Sequence, residues 1–133
     1  MPHFVIEYSA NLDDALDVDA LLGAVHAAAR DSGVFPLGGI RVRALRCAHY
    51  RIADGHPDNA FVHLAAMIGA GRTLDARREA CRLIFEALTG ELAVLQAARP
   101  LAVSFEMREL EPALNFKQNN LHEYVRQRGG EDS

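Results

Sequence analysis

Pro2 stands directly behind the initiator methionine and in front of an apolar, β-type run, Phe4-Val5-Ile6. A small penultimate residue lets that methionine be removed, which would leave a secondary amine joined without a linker to a strand. An α-amino group titrates near pH 7.7–8.0, so about 10–20% of it is uncharged at neutral pH. A pyrrolidine nitrogen is intrinsically more basic, and burial or neighbouring cations would have to depress it. Held at the start of a rigid strand, it would serve as a positioned general base. Proline is also a common second residue for reasons unconnected with chemistry, so its position alone does not decide.

The other candidate groups form no constellation. His3, His49 and His63 lack metal-ligand spacing and read as structural histidines, so no metal site is expected. Cys47 and Cys81 have neither metal nor redox spacing and read as buried small hydrophobes. Ser9 and Ser104 lack a companion that would make a nucleophile. Gly69-Ala-Gly71 fits neither the dinucleotide nor the P-loop spacing, so it reads only weakly as a phosphate cradle.

The chain has 133 residues and a net charge of −4, with one lysine, Lys117, and scattered arginines. A nucleic-acid partner would need a basic stripe, and none is expected. No apolar run approaches the roughly 20 residues of a membrane span, and no signal-type segment is visible, so a cytoplasmic protein with no membrane partner is expected. Arginine does suit planar carboxylates.

The elements that must position these groups alternate between two periodicities. Residues 3–8 read as a strand and 11–17 as a turn, with Asp17 as N-cap. Val18, Leu21, Leu22, Val25 and Ala28 or Ala29 then fall at helical spacing until Gly33. Residues 34–39 read as a loop. From Ile40 the pattern alternates, with Ile40, Val42 and Ala44 on one face and Arg41 and Arg43 on the other. Asp54-Gly55 and Pro57-Asp-Asn59 signal turns.

Residues 60–68 are almost all apolar, as in a strand covered on both faces. Thr73 is placed to cap a helix whose buried stripe is Ala80, Leu83, Ile84, Ala87, Leu88, Leu92 and Leu95, interrupted by Gly90. After Pro100, Leu101, Val103, Phe105 and Met107 alternate with polar or small residues as a half-buried strand. The tail, 111–133, carries a short helical pattern from Leu121 to Arg126, and fraying is expected from Gly129. Two β-α-β units therefore follow one another, at about residues 2–50 and 60–110. Two helices on one sheet face leave the other face uncovered and apolar, which predicts self-association into a closed ring.

Several of these pieces resemble one family. Pro2-His-Phe4, Gly33-Val-Phe-Pro-Leu-Gly-Gly-Ile-Arg41, Ala53-Asp-Gly55, Ala60-Phe-Val-His63, Ile68-Gly-Ala-Gly-Arg72, Leu101-Ala-Val-Ser-Phe-Glu106 and Leu114-Asn-Phe-Lys-Gln-Asn-Asn120 run through essentially the whole chain. They resemble the tautomerase superfamily and, within it, the 5-carboxymethyl-2-hydroxymuconate isomerase family.

The resemblance implies a single α+β domain over 1–133. It is a two-layer tautomerase-type fold with a mixed four-stranded sheet and helices on one face, assembled as a homotrimer. It also implies ketonisation of a dicarboxylate or tricarboxylate dienol without metal or cofactor. Pro2 would shuttle the proton, while Arg41 and Arg72 would bind carboxylates and stabilise developing charge. The second unit has no free amine at the position matching Pro2, so one site per subunit is expected. Arg41, on a strand, is expected to be the more rigid of the two arginines and hence the one acting on the transition state.

Arg43 reads as solvated or ion-paired, and Phe4, Phe35 and Phe116 as core. Residues 115–120 are polar enough to bridge subunits through backbone hydrogen bonds. Two other functions fit the same residues: a tautomerase acting on another enol or α-keto acid, and a catalytically silent trimeric anion-binding protein.

Overall fold

The computed structural model describes residues 1–130. In chain order it contains strand β1 (His3–Ser9), helix α1 (Val18–Asp31), strands β2 (Arg41–Cys47) and β3 (Ala60–Ile68), helix α2 (Leu74–Ala98), strand β4 (Leu101–Glu109) and helix α3 (Leu121–Gln127). Short 3-10 turns occupy Ala10–Leu12, Leu37–Gly39 and Pro112–Leu114.

The helix starts are fixed locally. Asp17 Oδ1 accepts from the Ala20 N–H at 3.0 Å, and Thr73 Oγ1 accepts from the Ala76 N–H at 3.1 Å. Each satisfies a donor that the first helical turn leaves orphaned. At the far end of α1, Gly33 adopts φ +73°, the left-handed conformation that ends a helix at little steric cost. Gly129 closes α3 in the same way with φ +85°, and the Gly130 N–H returns to the Val125 carbonyl at 2.8 Å. Gly129 and Gly130 are therefore tied to α3 rather than frayed; the rest of the expected fraying, residues 131–133, lies outside the described residues.

The sheet order is β2-β1-β3-β4, with parallel outer pairs and an antiparallel central pair. The fold is thus α+β, a mixed four-stranded sheet built from β1-α1-β2 beside β3-α2-β4. One sheet face, bearing Phe4, Ile6, Tyr8, Val62, Leu64, Ala66 and Ile68, is buried. Leu21, Val25 and Ala29 from α1 and Ala80, Ile84, Leu88 and Leu92 from α2 complete this core. Each large side chain so removed from water contributes about 1.5–3 kcal/mol before chain entropy is subtracted. Leu83, Ala87 and Leu95 flank the α2 stripe and are only half-buried.

The other sheet face carries no helix. The run of β3 is covered on one side only: Phe61, His63 and Ala65 are half-buried, and Met67 is 36% exposed. This face is also more polar than its expected apolar character. His63 Nδ1 lies 2.6 Å from Ser104 Oγ, and His63 Nε2 lies 3.2 Å from Glu106 Oε1, which shares its carboxylate with Arg108.

Candidate active site

Topology gathers the sequence candidates at one end of the sheet. His3 pairs with Arg41 in the parallel ladder and with Met67 in the antiparallel one. The start of β1, the start of β2 and the end of β3 therefore meet. Pro2 lies just before the first, Arg41 opens the second, and Arg72 follows the third through the Gly69-Ala-Gly71 connection.

Pro2 is fully buried. Its carbonyl accepts from the Arg41 N–H at 3.2 Å, extending the β1–β2 ladder by one rung. Gly39 packs against its ring so closely that a Cβ there would lie 3.3 Å from Pro2 Cδ. The chain start is thus held by the sheet on one side and by the Leu37–Gly39 turn on the other.

The two arginines are held differently. Arg41 donates from Nη1 to the Gly39 carbonyl at 3.0 Å. Arg72 donates from Nε to the Val34 carbonyl at 2.9 Å and from Nη1 to the Gly69 carbonyl at 3.1 Å. Its guanidinium carbon lies 5.0 Å from the Phe35 ring centroid, and Phe35 meets Phe4 edge-on at 5.6 Å. Gly71 permits this excursion with φ +116°, and its N–H donates to Glu109 Oε2 at 3.3 Å. A strand position makes the backbone of Arg41 rigid, but its side chain has one carbonyl anchor. Arg72 is the more restrained cation, contrary to the expectation from strand position.

Electrostatics at the chain start follow from this gathering. The Met1 amine is held below the ordinary α-amino value, first by burial and then by the charges of Lys117, Arg72 and Arg41. All four act in one direction, because both desolvation and positive neighbours disfavour an ammonium. Pro2 follows Met1 directly, at the same end of the sheet.

Lys117, named among the causes of the Met1 shift, is a residue that sequence reasoning passed over. Its available signals were that it is the chain's one lysine and that it lies in the 114–120 stretch. The side chains expected in the core split: Phe4 and Phe35 are buried, while Phe116 is 89% exposed. Residues 115–120 include a link within the chain, since Asn119 Nδ2 donates to the Gly38 carbonyl at 2.9 Å.

Arg43 points its Nη1 at His3 Nδ1, 3.2 Å away. Arginine can only donate, so that ring nitrogen accepts. Burial, then Arg43 and Arg41, hold the His3 pKa below its ordinary value. Ser9 is buried, and its Oγ accepts from the Phe61 N–H at 3.0 Å, a structural role. Ser104 does acquire a histidine, His63, across the β3–β4 register. Cys47 and Cys81 are half-buried rather than buried free thiols, and burial raises the Cys81 pKa. Among the described residues, no group of three His, Cys, Asp or Glu side chains gathers in a way that could hold a metal.

An open hollow of about 740 Å³ runs along α2 and β4, lined by Cys81, Phe85 and Phe105 among others. It includes none of Pro2, Arg41 and Arg72. Its Arg82 is tied to Glu79 and Glu86, so that charge is already answered.

Comparison with known proteins finds relatives over most of the chain. A family model described as 5-carboxymethyl-2-hydroxymuconate isomerase matches residues 2–125. The curated 5-carboxymethyl-2-hydroxymuconate Delta-isomerase of Escherichia coli is 44% identical over 122 residues, covering 92% of this chain and 97% of its own length. The crystal structure of a 5-carboxymethyl-2-hydroxymuconate isomerase from Deinococcus radiodurans R1 superimposes with a TM-score of 0.87 at 37% identity, covering 93% of each chain. A fused 4-OT solved as a symmetric trimer shares the fold alone, with a TM-score of 0.63 at 16% identity over 87% of this chain and 93% of its own. On a match that spans Pro2, Arg41, Lys117 and Arg72 alike, this chain belongs to the 5-carboxymethyl-2-hydroxymuconate isomerase family.

Proposed function

We propose that this chain is an isomerase that converts the dienol 5-carboxymethyl-2-hydroxymuconate to its keto isomer during the breakdown of aromatic compounds. With Met1 removed, the Pro2 amine takes the proton from the enol oxygen. Negative charge then spreads over the conjugated carbon chain toward the carboxylates, and the Pro2 ammonium returns the proton to a carbon. Nothing is consumed, and the proton that leaves oxygen is the one that arrives at carbon.

The observation that carries this reading is the meeting of the chain start with Arg41 and Arg72 at one end of the sheet, where the Pro2 carbonyl accepts from the Arg41 N–H at 3.2 Å. Cations there serve two ends. They hold a polyanionic substrate, and they keep the amine deprotonated enough to act as a base. Arginine presents a planar fork to a carboxylate and does not titrate. The bracing of Arg72 suits it to the end where charge grows, since a pre-aimed donor costs no reorganisation during the reaction.

The working form is a homotrimer in the cytoplasm. The helix-free sheet face supports self-association, and the fused 4-OT of the same fold is a symmetric trimer.

The decisive experiment follows the ultraviolet absorbance of the dienol with and without the chain. Intact mass is measured in parallel. The Met1-processed form accelerates the decay, and a form proven to retain Met1 does not, because an amide nitrogen has no lone pair to offer. Full activity with Met1 retained rules out Pro2 as the base, and no acceleration by the processed form rules out the isomerase. Sedimentation should show a trimer; a stable monomer at micromolar concentration removes the assembly claim.

A further inference from the structure

The 115–120 segment forms no helix or strand, yet it is not loose. Asn119 Nδ2 donates to the Gly38 carbonyl at 2.9 Å, and Asn119 Oδ1 accepts from the Leu121 N–H at 2.8 Å, where α3 begins. The start of α3 then lies flat on Gly38: a Cβ there would fall 2.9 Å from both N and Cα of His122. The next residue, Gly39, touches Pro2 on its other flank, where a Cβ would lie 3.3 Å from Pro2 Cδ and 3.6 Å from Met1 Cα. Two consecutive glycines thus separate the tail from the chain start by one thickness of backbone. Lys117 sits two residues before the Asn119 link.

Among the described residues, three cations at this end have no carboxylate partner. Arg46, Arg77, Arg82 and Arg108 each pair with a carboxylate. Among the described residues, Arg41 and Arg72 bond only to backbone carbonyls, and Lys117 has no ion-pair partner. In a chain of net charge −4, cations brought together without counter-ions repel one another, and a bound polyanion relieves that repulsion.

We infer that Lys117 is a third anion-binding residue of the Pro2 site, holding a carboxylate that Arg41 and Arg72 do not reach, so that the site selects tricarboxylates over dicarboxylates. This rests on the isomerase reading for its substrate. 5-Carboxymethyl-2-hydroxymuconate has a carboxylate at each end of its conjugated chain and a third on a methylene arm. Arginine forks match the planar conjugated ends. The arm rotates, and a flexible ammonium that can donate from any direction matches a rotating carboxylate better than a fork does.

The test compares wild type, Lys117→Gln and Lys117→Arg on two dienols, 5-carboxymethyl-2-hydroxymuconate and 2-hydroxymuconate, which lacks the third carboxylate. Assays are run on the alkaline plateau of the pH profile, so that any effect on the amine drops out. K117Q should raise the KM for the tricarboxylate about fivefold or more, as expected for a partly exposed charge-assisted contact. Its KM for the dicarboxylate should change much less than its KM for the tricarboxylate, and K117R should keep most of the preference.

An unchanged tricarboxylate KM overturns the inference, as does an equal loss on both substrates. If wild type turns over neither dienol, the isomerase reading fails instead. Lys117 is then judged by calorimetric titration with propane-1,2,3-tricarboxylate and glutarate. Wild type should prefer the former and K117Q should not; equal preference in the two chains overturns the inference on its own terms.

Discussion

Arg72 lies over Phe35, its guanidinium carbon 5.0 Å from the ring centroid, and its Nε donates to the carbonyl of Val34, the residue before that ring. One short loop therefore supplies both a π-face and an acceptor to the same cation. The ring is itself fixed by its edge contact with Phe4 on β1. The cation's aim is coupled in this way to the strand that carries Pro2.

This bracing separates the two arginines. Arg72→Ala should lower kcat, and Arg41→Ala should chiefly raise KM. Each loss should be about 10- to 200-fold in kcat/KM, the equivalent of about 1.5–3 kcal/mol for a hydrogen bond to a charged group. Lysine should rescue either only in part, since it keeps the charge and loses the fork. Steady-state kinetics on purified variants decide it, and the reverse split would return the transition-state role to Arg41.

Phe35→Leu tests the platform rather than the charge. Phe35 is only 4% exposed, so a branched aliphatic side chain should keep most of the packing that alanine would forfeit at about 3–5 kcal/mol. The cation–π contact, worth about 0.5–2 kcal/mol, goes with the ring. Turnover should fall severalfold while the thermal midpoint moves by only a few degrees. A wild-type kcat in F35L would show that the two carbonyl anchors hold Arg72 without the ring.

What could be read in the sequence was local. Asp17 and Thr73 cap their helices through bonds three residues away, and a spacing rule sees such contacts. The strand over 60–68 has the bounds that its apolar run and flanking turns mark. The anchoring of the 115–120 segment escaped because Asn119 reaches Gly38, 81 residues back along the chain. His63 and Ser104 became neighbours only through the β3–β4 register, which hydrophobic pattern sets indirectly. The bonds of Arg41 and Arg72 could not be read from strand position for a related reason: a strand fixes a backbone, while hydrogen bonds fix a guanidinium.

Gly38→Ala should act on Lys117 at a distance. The new Cβ meets backbone atoms of His122 at 2.9 Å, and backbone cannot turn aside as a flexible side chain would. The start of α3 must lift, carrying the Asn119 link with it. The cost should be about 1–3 kcal/mol in stability, typical of overpacking. The tricarboxylate preference should weaken as it does in Lys117→Gln. Urea unfolding and the ratio of kcat/KM for the two dienols measure these separately, and an unaltered ratio would detach Lys117 placement from Gly38.

The pH dependence follows from the direction in which the site pushes its amine. A protonated amine cannot accept the enol proton, so kcat/KM falls as pH drops through the amine pKa of the free enzyme. Burial comes first among the causes that hold the Met1 amine low, followed by Lys117, Arg72 and Arg41. If the same surroundings act on a Pro2 amine, the acid limb should lie below the value of a free prolyl amine. Removing a cation relieves part of that push and raises the amine pKa, so the limb must move to higher pH in every neutral variant. Lys117→Gln, Arg72→Ala and Arg41→Ala should each move it in that direction. Raising the salt concentration should shrink these differences, because the cations act partly through solvent. Profiles of kcat/KM at low and high ionic strength provide the check. A limb that stays put in all three variants, or moves to lower pH, would mean that these cations do not tune the base.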